Sequence, residues 1–186
     1  MNYQQFYDDN QNYVRWFENV LKKEMLRVFP KLTTETVVLS GSRSFDLAYP
    51  ESDLEFAVIQ PVEQQDIAPF VLFFSQFGTP DVLKTLAGLQ LLTLKSPRFP
   101  PYLQPPSCVR VWKLEMTLRT PEQQQTIETH IQNQLSTWSD DQKLHYIERI
   151  RKCFLDMTAN PDNKVLAQTY NDCKVWLRAL PIRKLE

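Results

Sequence analysis

The chain has 186 residues, 42% of them hydrophobic, and its 21 basic and 22 acidic residues leave a formal net charge of −1. That length supports one sizeable core, as one domain or one domain with an appendage. The near-neutral balance excludes a global electrostatic pull toward nucleic acid or an anionic membrane, so any polyanion site must be local. Cys108, Cys153 and Cys173 are odd in number and lack metal-ligand spacing, which argues for free core thiols in a reducing compartment. The longest apolar runs, such as Phe70 to Phe74, fall far short of the roughly 20 residues of a membrane span. The N-terminal "MNYQQFYDDNQNY" lacks the basic-then-apolar order of a signal peptide. A soluble, cytoplasmic protein is expected.

Residues 9–29 carry Tyr13, Trp16, Phe17, Val20, Leu21, Met25 and Val28 at steps of three and four, which predicts an amphipathic helix stopped by Pro30. Thr36 to Leu39 reads as a buried strand and Leu54 to Ile59 as a second. A helix is expected over 62–77, because "FVLFFSQF" is long and unpunctuated, with Gly78-Thr79-Pro80 ending it. Leu89 to Ser96 reads as a third strand and Cys108 to Arg119 as an alternating fourth; the proline-dense "PRFPPYLQPP" between them is a loop. Thr120 then caps a helix with Pro121 at its first position. The pattern to Leu180 stays helical, broken near Ser139-Asp140 and Asn160-Pro161. The expected architecture is α/β (α+β): a twisted mixed sheet of four or five strands with helices over residues 1–119, and a C-terminal helical region over 120–186 packed on that core.

Chemistry concentrates in "VVLSGSRSFDLAYPESDLEFAVI", Val37 to Ile59. Side chains alternate along a strand, so Asp53 and Glu55 share one face while Leu54, Phe56 and Val58 take the other. In the fourth strand, Trp112, Leu114, Met116 and Leu118 form the apolar face, and Lys113, Glu115 and Thr117 the opposite one. Adjacent carboxylates repel, and a divalent cation with oxygen ligands relieves that repulsion, so Asp53, Glu55 and Glu115 are candidate ligands for magnesium. The alternative for Asp53 and Glu55 is a solvated strand face, and for Glu115 a pairing with Lys113 or a neighbouring strand. Gly41 after the first strand permits close backbone approach, and Ser42 offers a hydroxyl and an amide to phosphate; an ordinary turn is the competing reading. Arg43, Lys95 and Arg98 are candidate phosphate contacts.

These residues resemble the signature of the nucleotidyltransferase-fold superfamily, in which a strand ends in Gly-Ser, a loop of about ten residues follows, and Ser-Asp-x-Asp/Glu opens the next strand. The look is nearest to small minimal and aminoglycoside-type members with a helical C-terminal region. The resemblance spans about residues 36–118. It implies that Gly41, Ser42 and Arg43 bind a nucleoside triphosphate, ATP above all, and that Asp53, Glu55 and Glu115 are both catalytic and metal ligands for Mg2+ (or Mn2+). The implied reaction moves a nucleoside monophosphate to a hydroxyl acceptor on a small molecule, a protein or RNA. The chain departs from the pattern where Asp46 replaces a glycine four residues beyond the serine, and where glutamates replace the second and third aspartates. Those departures motivate a second hypothesis, an inactive binding or regulatory module; a third is an interaction domain in which the acids do nothing. The lack of a basic stripe counts against a large nucleic-acid partner. Acceptor, base preference and oligomeric state stay open.

Among the remaining candidates, His130 and His145 read as hydrogen-bonded or surface histidines, and Trp138, Tyr146 and Trp176 as helical core. "RIRK", Arg149 to Lys152, reads as a solvated helix face.

Overall fold

A computed structural model describes residues 1–85 and 88–174. Helix α1 (Tyr3–Trp16) continues through a π-helical turn (Phe17–Leu21) into α2 (Lys22–Val28). Its start is a reciprocal capping box in which the Asn2 side chain accepts from the Gln5 amide and the Gln5 side chain accepts from the Asn2 amide. The periodic positions Tyr13, Trp16, Phe17, Leu21 and Met25 are all buried, as their spacing predicts.

Among the described residues five strands follow, β1 (Val37–Ser40), β2 (Leu54–Ile59), β3 (Asp81–Lys84), β4 (Gln90–Lys95) and β5 (Lys113–Arg119), in the sheet order β1-β2-β5-β4-β3. The sheet is mixed: β2 and β5 run parallel and the other neighbours antiparallel. Leu54, Phe56, Val58, Leu92, Leu94, Leu114, Met116 and Leu118 are buried and join the helical stripe of α1 and α2 in one core. Phe70, Phe73, Phe74 and Phe77 enter that core from one side at helical spacing.

Several elements differ from the sequence reading. The helix expected over 62–77 is divided into a 3-10 turn (Val62–Gln64), helix α4 (Ala68–Phe74) and a second 3-10 turn (Ser75–Phe77); α3 (Gly41–Ser44) is one turn directly after β1. Asp66 accepts a hydrogen bond from the Ala68 amide and Pro69 stands in the first turn, so a new helix starts there rather than an old one continuing. The fourth strand begins at Lys113, not Cys108, and Trp112 is 41% exposed outside the apolar face assigned to it. Cys108 is exposed rather than core. β3 was not anticipated, because it is short, fully exposed and has no alternation to read: Val82 and Leu83 are flanked by Asp81 and Lys84.

Three helices close the described chain, α5 (Pro121–Leu135), α6 (Asp140–Ala159) and α7 (Lys164–Cys173). Thr120 and Ser139 cap the first two in boxes with Gln123 and Gln142, and Asn163 caps the third, where the sequence places its breaks. A second apolar cluster joins Phe6 of α1 with Leu47 and Tyr49 of the β1–β2 connection and Ile147 and Ile150 of α6. Val175, Trp176 and Leu180, read as helical, lie outside the described residues.

Candidate active site

The parallel pairing of β2 and β5 sets Glu55 directly across from Glu115, and Leu54 across from Leu114. One step earlier in that register, Asp53 comes opposite Lys113. Since residues opposite each other share a face, all four charged side chains project from one side and Leu54 and Leu114 from the other. Oxygens of Asp53, Glu55 and Glu115 lie within 4.8 Å of one another, close enough to share a cation. Three hard carboxylate donors on rigid neighbouring strands fit a divalent ion that prefers oxygen ligands. Lys113 stands in the same space, with Nζ 2.7 Å from Asp53 Oδ2 and 2.8 Å from Glu115 Oε1.

The electrostatics follow from that crowding. The Glu55 carboxyl is held above its ordinary pKa, first by burial and then by Glu115, with Asp53 adding to the effect and Lys174 and Lys113 opposing it. Burial disfavours the Lys113 ammonium, but Asp53 and Glu115 more than offset this and hold it above the usual lysine value.

Gly41 has a different neighbour from the one its sequence context suggests. Its φ is +65°, and a Cβ placed on it would collide with the Glu55 carboxylate, lying 2.6 Å from its Cδ. Glycine at this position therefore makes room for Glu55. The other expected glycine is replaced by Asp46, which keeps the left-handed backbone at φ 56°. Aspartate tolerates this conformation better than most residues. Asp46 Oδ1 accepts from Asn10 Nδ2 at 2.9 Å and from Gln11 Nε2 at 3.0 Å, so α1 fastens the turn after β1.

Arg43 does not face the site. It is 1% exposed; Nη2 donates to the Ser52 carbonyl at 2.6 Å, Nε donates to the Asp53 carbonyl at 3.2 Å, and the guanidinium stacks 3.4 Å from the Tyr13 ring centroid. Its donors fix the backbone leading into β2, so the guanidinium positions Asp53 and is not available to a triphosphate.

Beside the acids lies a cavity of about 160 Å3 whose lining includes Gly41, Ser42, Asp53, Glu55, Arg119 and Lys174. Ile127, Ile131, Tyr146 and Ile150 form its apolar wall from α5 and α6. Glu115 and Lys113 do not line it. Sites for drug-sized ligands run to roughly 300–1,000 Å3, so this cavity by itself is smaller than a typical small-molecule site. Arg119 donates from Nη1 to Gln124 at 2.9 Å, while its buried Nε has no hydrogen-bond partner among the described residues. Neither Arg119 nor Lys174 was singled out from the sequence. Arg119 follows from strand alternation with Glu115 and Thr117, whereas Lys174 has no local signal. Lys95 pairs with Lys113 in the β4–β5 register and Arg98 sits in the proline loop; neither lines the cavity. His130 and His145 are also outside its lining. Arg151 of the "RIRK" run is engaged rather than solvated, donating from Nη2 to Glu51 Oε1 at 2.8 Å and from Nε to Oε2 at 2.9 Å.

The same architecture occurs in two crystal structures of the Cid1 poly(U) polymerase, one with MgGTP bound and one of a mutant bound to MgATP. Both align with a TM-score of 0.54 over 80% of this chain, at 14% and 13% identity. The chain has a nucleotidyltransferase-like fold. It spans 43% of the length of the matched polymerase chains. No family model matches the sequence, and a search of curated proteins finds no match either. No helix among the described residues is long and apolar enough to cross a membrane.

Proposed function

We propose that the protein transfers a nucleoside monophosphate group from a nucleoside triphosphate, with ATP as the first candidate, to a hydroxyl acceptor on a small molecule, a protein or RNA. The observation that carries this reading is the gathering of Asp53, Glu55 and Glu115 within 4.8 Å on parallel strands, beside the Gly41-Ser42 turn, in a nucleotidyltransferase-like fold.

Asp53, Glu55 and Glu115 would hold Mg2+ or Mn2+, which when bound stabilises charge on the phosphates. The remaining work falls to the chain. The Ser42 hydroxyl and amide, which line the cavity, meet phosphate oxygens beside Glu55, the acid for which Gly41 makes room. Arg119 and Lys174 bring positive charge to the same cavity, and the unpartnered Arg119 Nε suits a phosphate oxygen. Glu115 accepts the proton of the acceptor hydroxyl. A bond forms between the acceptor oxygen and the α-phosphorus, the bond from that phosphorus to the bridging oxygen breaks, and pyrophosphate departs with the electron pair.

The test is incubation of the protein with α-labelled nucleoside triphosphates, magnesium or manganese and a panel of hydroxyl acceptors, beside Asp53→Asn and Glu55→Gln. Label transfer that falls by about a hundredfold or more in both variants is expected, comparable to removal of a principal transition-state stabiliser. Transfer untouched by either substitution discards the site. A second reading, a binding module without turnover, is favoured by the Lys113 ammonium standing between two of the acids. Magnesium-dependent nucleotide binding without any label transfer selects it.

A further inference from the structure

The acidic cluster carries its own cation. Lys113 is not a surface lysine that happens to lie near acids: it sits on the same strand face as Glu115, opposite Asp53, and its Nζ contacts one oxygen of each at 2.7 and 2.8 Å. Its side chain is 31% exposed, against 23% for Asp53 and 20% for Glu115, so the ion pairs are partly withdrawn from water and screened less than surface pairs. Glu55, the third acid, receives no salt bridge from it among the described residues. The lysine thus serves two of the three oxygen donors and makes no ion pair with the third.

A divalent ion that ligates Asp53 Oδ2 and Glu115 Oε1 approaches each to roughly 2.0–2.1 Å, the distance magnesium requires. An ammonium already in contact with the same two atoms stands in the same gap. A dication and an ammonium in that gap repel each other at short range, so on these two oxygens they compete.

We propose that Lys113 is a built-in counter-ion of the metal site: it holds Asp53 and Glu115 together in the metal-free protein and must leave them before a divalent ion can bind, so that it sets the metal affinity. This rests on the reading of the three acids as metal ligands. It gives the site two states. In one, Lys113 bridges Asp53 and Glu115 and nucleotide finds no metal. In the other, the ion takes the acids and Lys113 is released, with its charge free for another partner. Weak metal binding by the free protein follows, and loading becomes dependent on the ligand that brings the metal.

The experiment is titration of the purified full chain with Mn2+ at fixed pH and without nucleotide, counting free Mn2+ by electron paramagnetic resonance, for wild type, Lys113→Met and Lys113→Arg. Thermal unfolding is followed in parallel. Lys113→Met is expected to bind Mn2+ at least tenfold more tightly than wild type, to melt earlier than wild type without metal, and to regain that loss when Mn2+ is added. Lys113→Arg, which keeps the charge, is expected to stay within about threefold of wild type. If methionine leaves the acids too repelled for the apo protein to fold, Lys113→Gln and folding rescued by Mn2+ report the same competition. Affinity that is unchanged or lower in Lys113→Met, or no Mn2+ binding by that variant, overturns the proposal. So does an equal gain in Lys113→Arg. Because the titration involves no turnover, tighter binding in Lys113→Met with no label transfer by wild type would reject the transferase and keep the counter-ion. Label transfer by wild type with no change in Lys113→Met affinity would do the reverse.

Discussion

Glu55 occupies the space that a side chain on Gly41 would need. The carboxylate of one residue lies against the bare α-carbon of the other, across the antiparallel β1–β2 pair, where Ser40 stands opposite Glu55. A Gly41→Ala substitution is therefore costly twice over, by forcing φ of +65° on a residue with a Cβ and by displacing Glu55. The expected loss is about 1–2 kcal/mol of stability in urea unfolding. Divalent-ion affinity should also fall by about tenfold, the scale seen when a group that orients a ligand is removed. Unchanged metal affinity in a folded Gly41→Ala protein would mean that Glu55 does not need its present position.

Asp46 carries a conformation usually given to glycine and offsets its strain with bonds from α1. Replacing it by alanine keeps the strained φ and removes the acceptor for Asn10 and Gln11, which should cost about 1–3 kcal/mol. Asp46→Gly relieves the strain while losing the same bonds and should be clearly milder than alanine. Denaturant midpoints with unchanged m-values decide the order; glycine as costly as alanine would show that backbone strain contributes nothing here.

The ion pair between Glu51 and Arg151 ties the β1–β2 connection to α6 and predicts a pH effect. The Arg151 hydrogen bonds lower the Glu51 pKa below its ordinary 4.5, despite some opposition from burial. A carboxyl with a depressed folded pKa stabilises the fold above its unfolded value, and that contribution is lost as pH falls from about 4.5 through the depressed value. Glu51→Gln should cost about 0.5–1 kcal/mol at pH 7 and nothing once the pH is below both values. Equal destabilisation at both ends of the titration would show that the charge is not the source.

Cys153 and Cys173, on facing α6 and α7, hold their sulfurs 3.7 Å apart and are both thiols. A thiol oxidant such as diamide should link them within one chain, while exposed Cys108 stays available to an alkylating reagent. Burial raises the Cys153 pKa, so the reaction should quicken as pH rises. Peptide mapping checks the pairing; a Cys108-containing linkage as the main product would contradict it.

The acids were legible in the sequence because strand alternation and the Gly-Ser turn are local patterns, and β2 spans the residues expected of it. The Glu55–Glu115 register follows from the parallel pairing, which no short pattern encodes, although alternation already puts both residues on polar faces. Arg43 misled for a physical reason: beside Gly-Ser it looks like a phosphate ligand, but its partners are carbonyls ten or fewer residues later and a tyrosine on α1. Lys113 was visible as a partner of Glu115. That it also reaches Asp53 depends on which strands are neighbours. β3 was hidden because an exposed edge strand of four residues has neither alternation nor burial to betray it.

The proposed chemistry requires three carboxylates to share one cation. A crystal of the protein grown with Mn2+ and a non-hydrolysable triphosphate, examined by anomalous scattering, tests this most directly. A manganese peak within about 2.2 Å of oxygens from Asp53, Glu55 and Glu115, with Lys113 Nζ withdrawn from both of its acids, is the predicted result. Nucleotide bound with no peak among the three, and Lys113 still bridging Asp53 and Glu115, would contradict it.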